Sequence, residues 1–511
     1  MRDTILVLDF GGQYCHLIAR RIRELGVYSE ILSYRATAKE ISRLADLNVK
    51  GIVLSGGPRS VYENNAPTMD KSILDMGIPV LGICYGHQLI AHVEGGKVKP
   101  AAVKEYGEAT AYVDKPVGIL HGFNKKVRVW MSHGDTVFSL PKGYEVLAHT
   151  QNTPIAAFGN KARKIFGVQW HPEVFQTESG LQVFRNFVRL CGSKREWRAK
   201  DFTKNAIAEI KKKVGDKRCI MALSGGVDSS VAAAIVGKAI GSKLTAVYVD
   251  TGLMRYRETE EIEKQFKKMK IKLEIVDAQK MFLRSLKGVS NPEKKRKIIG
   301  ALFAKVFEKE ARRIKADFLV QGTIYPDRVE SGKVGNSAKI KTHHNVGGMP
   351  KGAKFKGIIE PLRDLYKDEV RKVGKELSLP DSIINRQPFP GPGLAVRIMG
   401  PITRNKLDIL RKADAIVTEE IKRSGLGKGL WQYFAVLTNT RSVGVKGDSR
   451  AYGMVVAIRT VKSRDAMTAE FAELPWEALR RISSRIVGEI PEVVRVVYDI
   501  TDKPPATIEW E

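Results

Sequence analysis

The first third of the chain alternates short apolar runs with amphipathic segments. Apolar runs at 5–10 and 79–84 have the length of buried strands, and the segment 16–25 has the apolar spacing of a helix. A closing helix is predicted over 180–190. Because strands and helices alternate along the chain, this part is predicted to be an α/β domain built on a central sheet.

The same pattern begins again after a polar, charged connector at 193–200. Residues 219–223 and 244–250 are predicted strands, and 231–240 is a predicted helix. The residues between the first strand and this helix, 224–230, form a glycine-containing loop. This alternation predicts a second α/β domain.

The last part of the chain has a different pattern. A proline cluster at 388–392 marks a boundary, and beyond it a helix is predicted over 405–424 and strands over 433–437 and 493–500. We therefore predict an α/β protein in which two α/β domains are followed by a small α+β domain. The predicted bounds of the three domains are 1–193, 200–386 and 387–511.

Length and composition limit the possible classes of protein. A chain of 511 residues is too long for one core, and it has no apolar run that approaches eighteen residues, so no membrane partner is expected. None of the four cysteines, Cys15, Cys84, Cys191 and Cys219, forms a C-x-x-C pair, which disfavours a zinc or redox motif. Reduced thiols and a start without a signal peptide predict a cytoplasmic protein.

The formal net charge of +30 suggests a polyanionic ligand. Nucleic acid is the first candidate for such a ligand. The lysines are scattered, however, and lack the interleaved aromatic residues on which bases stack. We therefore interpret most of the charge as solvated helix faces and expect no nucleic-acid partner.

A reactive cysteine is predicted in the segment Gly82–Gln88, GICYGHQ, which follows a strand and opens a helix. This is the cysteine form of the nucleophile elbow, in which flanking glycines permit a sharp turn. The helix N-terminus favours a thiolate at Cys84. His171, at the end of an apolar strand with Glu173 two residues later, is the best candidate for a base with its orienting carboxylate.

These motifs resemble the class I glutamine amidotransferases, and the resemblance covers 1–190. It implies that Cys84 is the nucleophile for glutamine, His171 the acid–base and Glu173 the orienter. The amidases with an N-terminal nucleophile are excluded because residue 2 is Arg2. The resemblance further implies an oxyanion hole at Gly57 and Tyr85, and glutamine contacts at Gln88, Ser132 and His133.

The loop SGGVDSS at 224–230 lies between a strand and a helix, where backbone N–H groups bind phosphate. It lacks the lysine of the common P-loop, which disfavours that class of nucleotide hydrolase. It resembles the pyrophosphatase loop of N-type ATP pyrophosphatases, which implies ATP as a co-substrate and Asp228 as a Mg²⁺ contact. The ATP contacts that this resemblance implies are Ser224, Gly225, Gly226, Val227, Asp228, Ser229, Ser230 and Val249.

Four later segments, at 322–327, 340–345, 388–394 and 503–511, resemble the GMP synthetase family. The domain order matches too, so the resemblance covers essentially the whole chain. It implies that GMP is made from XMP, ATP and glutamine through an adenyl-XMP intermediate, with AMP, pyrophosphate and glutamate released. It also implies a homodimer formed through the third domain. The implied XMP contacts are Lys503, Ile508 and Glu509, and the implied lid residues are Lys341, His343 and His344.

The chain departs from this family's pattern at two positions. Gln387 stands where the family usually has histidine, and this puts any strict need for a histidine there in doubt. Ala506 stands where the family usually has glycine, which predicts that the backbone at 506 has no need of a positive φ.

Two other interpretations stay open at this level. One is an RNA-modifying enzyme of the pyrophosphatase-loop class with a fused amidase, although the absence of cysteines after Cys219 counts against sulfur transfer. The other is a regulatory scaffold without activity. The intact triad and the intact SGGVDSS loop count against this interpretation. An assay of AMP release would separate them.

Overall fold

The structure is a computed structural model that describes residues 1–269, 271–330, 355–463 and 468–511. These residues form two compact units, of which the first comprises 1–202 together with 325–330 and the second the remainder. The three predicted domain bounds remain predictions. Among the described helices, none is long and apolar enough to cross a membrane.

The first unit is built on a nine-stranded sheet with the order β2-β1-β3-β4-β9-β8-β7-β5-β6. The five strands from β2 to β9 are parallel, and the remaining pairs are antiparallel. The strands are β1 Arg2–Asp9, β2 Tyr28–Ser33, β3 Leu47–Leu54, β4 Val80–Ile83, β5 Lys97–Val113, β6 Lys126–Ser139, β7 Glu145–His149, β8 Ala157–Asn160 and β9 Ile165–Val168.

The parallel half of this sheet is the core of the unit. Apolar residues such as Leu6, Ile52 and Val80 are fully buried in it. Parallel strands with helices on both faces favour such continuous apolar runs. The helices are Cys15–Glu24, Ala38–Ser42, Tyr85–Val93, Gly180–Leu190 and Tyr325–Glu330, with short 3₁₀ turns at Lys71–Asp75 and Gly118–Leu120.

The second unit contains a five-stranded parallel sheet with the order β12-β11-β10-β13-β14. Its strands are β10 Cys219–Ala222, β11 Leu244–Asp250, β12 Lys272–Asp277, β13 Phe318–Val320 and β14 Gly357–Ile359. The helices of this part of the chain are Ala199–Val214, Val227–Ile240, Glu258–Lys268, Gln279–Ser285, Pro292–Ile314, Lys367–Glu376 and Asp381–Ile384, with a 3₁₀ turn at Gly241–Lys243.

A four-stranded sheet completes the second unit. Here β16 pairs antiparallel with β15 and β17 and parallel with β18. The predicted fold class is confirmed: two α/β parts are followed by a mixed one. The elements are the 3₁₀ turn Gly393–Arg397, the helices Arg404–Arg423 and Trp476–Glu489, and the strands β15 Gln432–Lys446, β16 Ser449–Lys462, β17 Glu470–Phe471 and β18 Val493–Asp499.

Two candidate active sites

Cys84 lies in a sharp turn between β4 and the helix Tyr85–Val93. Its backbone has φ 53° and ψ −104°, a combination that residues with a side chain rarely adopt. There is no room for a side chain at either flanking glycine. A Cβ on Gly82 would lie 2.4 Å from the carbonyl oxygen of Gly86, and a Cβ on Gly86 would lie 2.4 Å from the carbonyl oxygen of Leu54. The predicted elbow is therefore present.

His171 and Glu173 lie beside Cys84. The Nδ1 of His171 is 2.7 Å from Oε1 of Glu173, whose side chain is fully buried. The peptide N–H of His171 donates to the carbonyl oxygen of Trp130, and the hydroxyl of Thr177 donates to the carbonyl oxygen of His171. The ring of Tyr14 contacts the imidazole edge-on, so the imidazole is held on several sides.

The electrostatics of this group favour a charged imidazole. Burial on its own would lower the pKa of His171, but the Glu173 carboxylate, and then the sulfur of Cys84 through its charge and a hydrogen bond, raise that pKa well above its usual range. An imidazolium beside a thiolate is the ion pair that a cysteine nucleophile needs.

A cavity of about 670 Å³ opens over Cys84. The implied oxyanion-hole residues Gly57 and Tyr85 and the implied glutamine contacts Gln88, Ser132 and His133 all lie beside this cavity. The Nε2 of Gln88 donates to the carbonyl oxygen of Asp135 at 2.9 Å and to the side chain of Gln169 at 3.1 Å. Seven of the eight predicted glutaminase residues line this one cavity. The eighth, Glu173, lies directly behind His171.

Tyr62 lines the same cavity but was not predicted from the sequence. Its hydroxyl donates to Oδ1 of Asp135 at 2.8 Å, although Tyr62 is 43% exposed. The two residues are 73 positions apart, and no local motif marks Tyr62.

The loop at 224–230 follows β10, and its structure differs in part from the prediction. The helix begins at Val227 and not at Val231, so that four of the seven loop residues form its first turn. The hydroxyls of Ser229 and Ser230 both donate to the carbonyl oxygen of Gly226, which stabilises this early start. The peptide N–H groups of that turn are therefore held at a helix N-terminus.

Asp228 lies in this first helical turn. Its Oδ2 pairs with the ammonium of Lys367, whereas its Oδ1 is buried without a hydrogen-bond partner among the described residues. The guanidinium of Arg386 donates to the carbonyl oxygen of Gly225 at 2.7 Å and pairs with Glu258. Lys367 and Arg386 were not assigned to this site from the sequence, because each lies more than 130 positions from the loop residue that it contacts.

The side chain of Val249, in β11, is buried in the apolar core. Any contact of Val249 with a nucleotide would therefore come from its backbone. Ser224, Gly225 and Gly226 form the turn that precedes the helix, and the hydroxyl of Ser224 lies 3.0 Å from that of Ser229.

The implied XMP residues lie in a C-terminal segment that is anchored by charge. Glu509 accepts two hydrogen bonds of 2.9 Å from the buried guanidinium of Arg397 and one from Gln432. Ile508 is buried in an apolar cluster with residues of β15 and β16, and the backbone of Lys503 pairs with that of Ala469. The carboxylate of Glu509 thus has limited remaining capacity to accept a further hydrogen bond.

The structure describes both positions at which the chain departs from the family pattern, Gln387 and Ala506. The Oε1 of Gln387 accepts a hydrogen bond from the peptide N–H of Tyr433 at 2.9 Å. Ala506 does not have a positive φ, as its side chain predicts. The three implied lid residues, Lys341, His343 and His344, lie outside the described residues.

Comparison with known families agrees with this division of sites. The model "Glutamine amidotransferase class-I" matches residues 6–191, "NAD synthase" matches 199–391 and "GMP synthase C terminal domain" matches 419–510. The chain is therefore a class I glutamine amidotransferase fused to an ATP pyrophosphatase.

Curated relatives resemble the chain along its whole length. The "GMP synthase [glutamine-hydrolyzing]" of Caldicellulosiruptor saccharolyticus is 54% identical, over 100% of this chain and 99% of that one. The proteins of the same name from Clostridium perfringens and Aquifex aeolicus are 53% and 52% identical, each over 100% of both chains. The chain belongs to the family of glutamine-hydrolysing GMP synthases.

Proposed function

We propose that this chain makes GMP from XMP and ATP with the amide nitrogen of glutamine. Membership of the family over the full chain supports this function, and the observation that carries it is the coexistence of two sites in one chain. One has the Cys84–His171–Glu173 arrangement, and the other has the SGGVDSS loop at the start of a helix. A regulatory scaffold without activity has no need to keep both.

In the first half-reaction, the Cys84 thiolate attacks the amide carbon of glutamine. The backbone N–H groups of Gly57 and Tyr85 stabilise the oxyanion, and the His171 imidazolium protonates the leaving ammonia. A thioester and neutral imidazole remain. His171 then takes a proton from water, which hydrolyses the thioester to glutamate and restores the thiolate–imidazolium pair.

In the second half-reaction, the O2 atom of XMP attacks the α-phosphorus of ATP and displaces pyrophosphate. The helix N-terminus at Gly226–Ser230 and the cation of Lys367 offer the positive potential that this leaving group needs. Ammonia attacks C2 of the adenyl-XMP, AMP leaves with the C–O bond electrons, and loss of a proton gives GMP.

Mg²⁺ fits this site through Asp228. The unpartnered Oδ1 of Asp228 is a carboxylate oxygen, which this cation prefers, and Mg²⁺ takes one or two carboxylates together with phosphate oxygens. When bound, the ion would neutralise charge on the phosphates. The other oxygen of Asp228, Oδ2, is held by its pair with Lys367.

We further propose that the protein is a homodimer formed through its last sheet. Three apolar side chains on β15 and β16, Val443, Val445 and Tyr452, are more than half exposed, and Val443 lies directly opposite Tyr452. Exposed apolar groups of this kind mark interaction surfaces. Sedimentation should give a dimer for the native chain and a shift towards monomer for Val445→Glu, and a native monomer would contradict the proposal.

The function is tested by GMP formation from XMP and ATP with glutamine or ammonium as the nitrogen source. Both sources should give GMP, with one AMP and one pyrophosphate released for each GMP. ADP in place of AMP, or no GMP from either nitrogen source, would contradict the proposal.

A further inference from the structure

A buried carboxylate, Glu105, lies beside the glutamine cavity without any role in the chemistry above. It is in β5, directly opposite His133 of β6, and it is only 8% exposed. A buried carboxylate is costly unless several donors surround it, so its presence calls for an explanation.

Four side chains donate to Glu105. Its Oε1 accepts from Thr150 at 2.9 Å and from Asn152 at 3.4 Å, and its Oε2 accepts from Thr153 at 2.7 Å and faces Nε2 of His133 at 3.2 Å. Burial raises the pKa of this carboxyl, but the hydrogen bonds from His133, Thr153 and Thr150 outweigh it and lower the pKa to about 2. Glu105 is therefore ionised at neutral pH.

His133 lies between two hydrogen-bond acceptors. Its Nε2 faces the Glu105 carboxylate, and its Nδ1 lies 2.9 Å from the carbonyl oxygen of Asp135. Both partners are acceptors, so His133 is held on both sides through its two ring nitrogens.

His133 fixes one wall of the glutamine cavity. The carbonyl oxygen of Asp135 that receives Nδ1–H of His133 also receives the Gln88 amide, and the carbonyl oxygen of Ser132 lies 3.7 Å from Sγ of Cys84. Residues 132–135, which we call the 132–135 wall, therefore reach the nucleophile at one end and the Gln88 side chain at the other. Their position depends on the hydrogen bonds of His133.

We propose that Glu105 is a positioning residue for glutamine binding, which acts through His133 to hold the 132–135 wall in place. This inference rests on the proposed hydrolysis of glutamine at Cys84. Glu105 touches no reacting atom, and its effect reaches the substrate only through the geometry of the wall.

The test is Glu105→Gln in the full chain. Glutamine keeps the shape, but its single carbonyl oxygen can accept from only one of the two threonines, and it loses the negative charge that faces His133. The KM for glutamine should rise about 10-fold, with kcat changed less than about 2-fold, because a ground-state contact is weakened while Cys84 is untouched. Synthesis from ammonium should be unchanged. Glu108→Gln, at an exposed position of the same strand, is the matched control and should leave KM unchanged.

A double variant tests the route of the effect. If Glu105 acts through His133, then Glu105→Gln combined with His133→Asn should have the KM of His133→Asn alone. Should Glu105→Gln fail to fold, Thr153→Val removes one donor to Oε2 and keeps the charge, and it should raise KM about 3-fold.

Three results would overturn the inference: a normal KM in folded Glu105→Gln, a loss confined to kcat, or additive effects in the double variant. A normal KM in Thr153→Val would do the same if that variant is the one that folds. A native chain that hydrolyses no glutamine would overturn the proposed function as well, so the two failures are distinguishable.

Discussion

The Cys84 site and the loop at 224–230 hold their key groups by different means. Around Cys84, the backbone itself is forced into a rare conformation, and the glycines on either side are packed against carbonyl oxygens 2.4 Å from where a Cβ would stand. In the loop, hydroxyl groups and ion pairs hold the key groups in place. The side chains of Asp228 and Lys367 remain about 30% exposed.

This contrast matches the chemistry proposed for each site. A covalent nucleophile must hold its reacting atom in one fixed position. The strained backbone that holds it there costs about 1–3 kcal/mol and is retained only where the surrounding packing enforces it. Transfer of a nucleotidyl group requires charge compensation around a polyanion, for which peptide N–H groups and cations suffice. The first site is consequently complete in its own side chains, whereas the second presents charges that a nucleotide would satisfy.

The largest expected effect comes from the loop. Asp228→Asn should lower GMP synthesis from glutamine and from ammonium alike, by at least about 100-fold, because it removes a charge that acts before nitrogen enters. Steady-state assays with each nitrogen source measure this. Asp216→Asn, at a fully exposed carboxylate of the same unit, is the control and should behave as the native protein. Equal rates for Asp228→Asn and the native chain would remove Asp228 from the site.

A smaller and selective effect is expected at Glu173. Glu173→Gln should lower glutamine-dependent synthesis by about 100-fold and leave ammonium-dependent synthesis intact, because only the orientation and charge of His171 change. Glu178→Gln, a nearby exposed position, is the control.

The same variant makes a prediction about pH. Glu173 raises the pKa of His171, so its neutralisation should lower that pKa and the imidazolium should be lost at a lower pH. The alkaline limb of the glutaminase pH profile should move to lower pH in Glu173→Gln. A shift in the opposite direction would contradict the assignment.

An effect on stability is expected at the C-terminal segment. Glu509→Ala leaves the buried guanidinium of Arg397 with Asp414 as its remaining carboxylate, which should lower the free energy of unfolding of the second unit by about 3 kcal/mol. Urea unfolding measures this, with Glu492→Ala at an exposed position as the control. Unchanged stability would mean that Glu509 is available for XMP alone.

The sequence predicted the parts of each site that depend on local pattern. Cys84 was predicted from two glycines at fixed spacing, and His171 and Glu173 from positions two residues apart at a strand end. Lys367 and Arg386 could not be assigned to the loop, because only the folded chain brings them next to Asp228 and Gly225.

The antiparallel half of the first sheet was also missed. In β5 the buried positions are separated by two to five exposed or half-exposed residues, since one face of this strand is solvated. Its apolar signal is therefore too weak to predict a strand of 17 residues. Glu105 belongs to this strand, and its burial depends on partners in β6 and in the turn after β7.

The central claim is that nitrogen released at Cys84 is the nitrogen that enters GMP. The most direct test supplies glutamine labelled with ¹⁵N in its side-chain amide and follows the exocyclic amino group of GMP by mass spectrometry. The native chain should give labelled GMP, and Cys84→Ala should give none from glutamine while it still makes labelled GMP from ¹⁵N-ammonium. Labelled GMP from glutamine in Cys84→Ala, or loss of synthesis from both sources in that variant, would contradict the account.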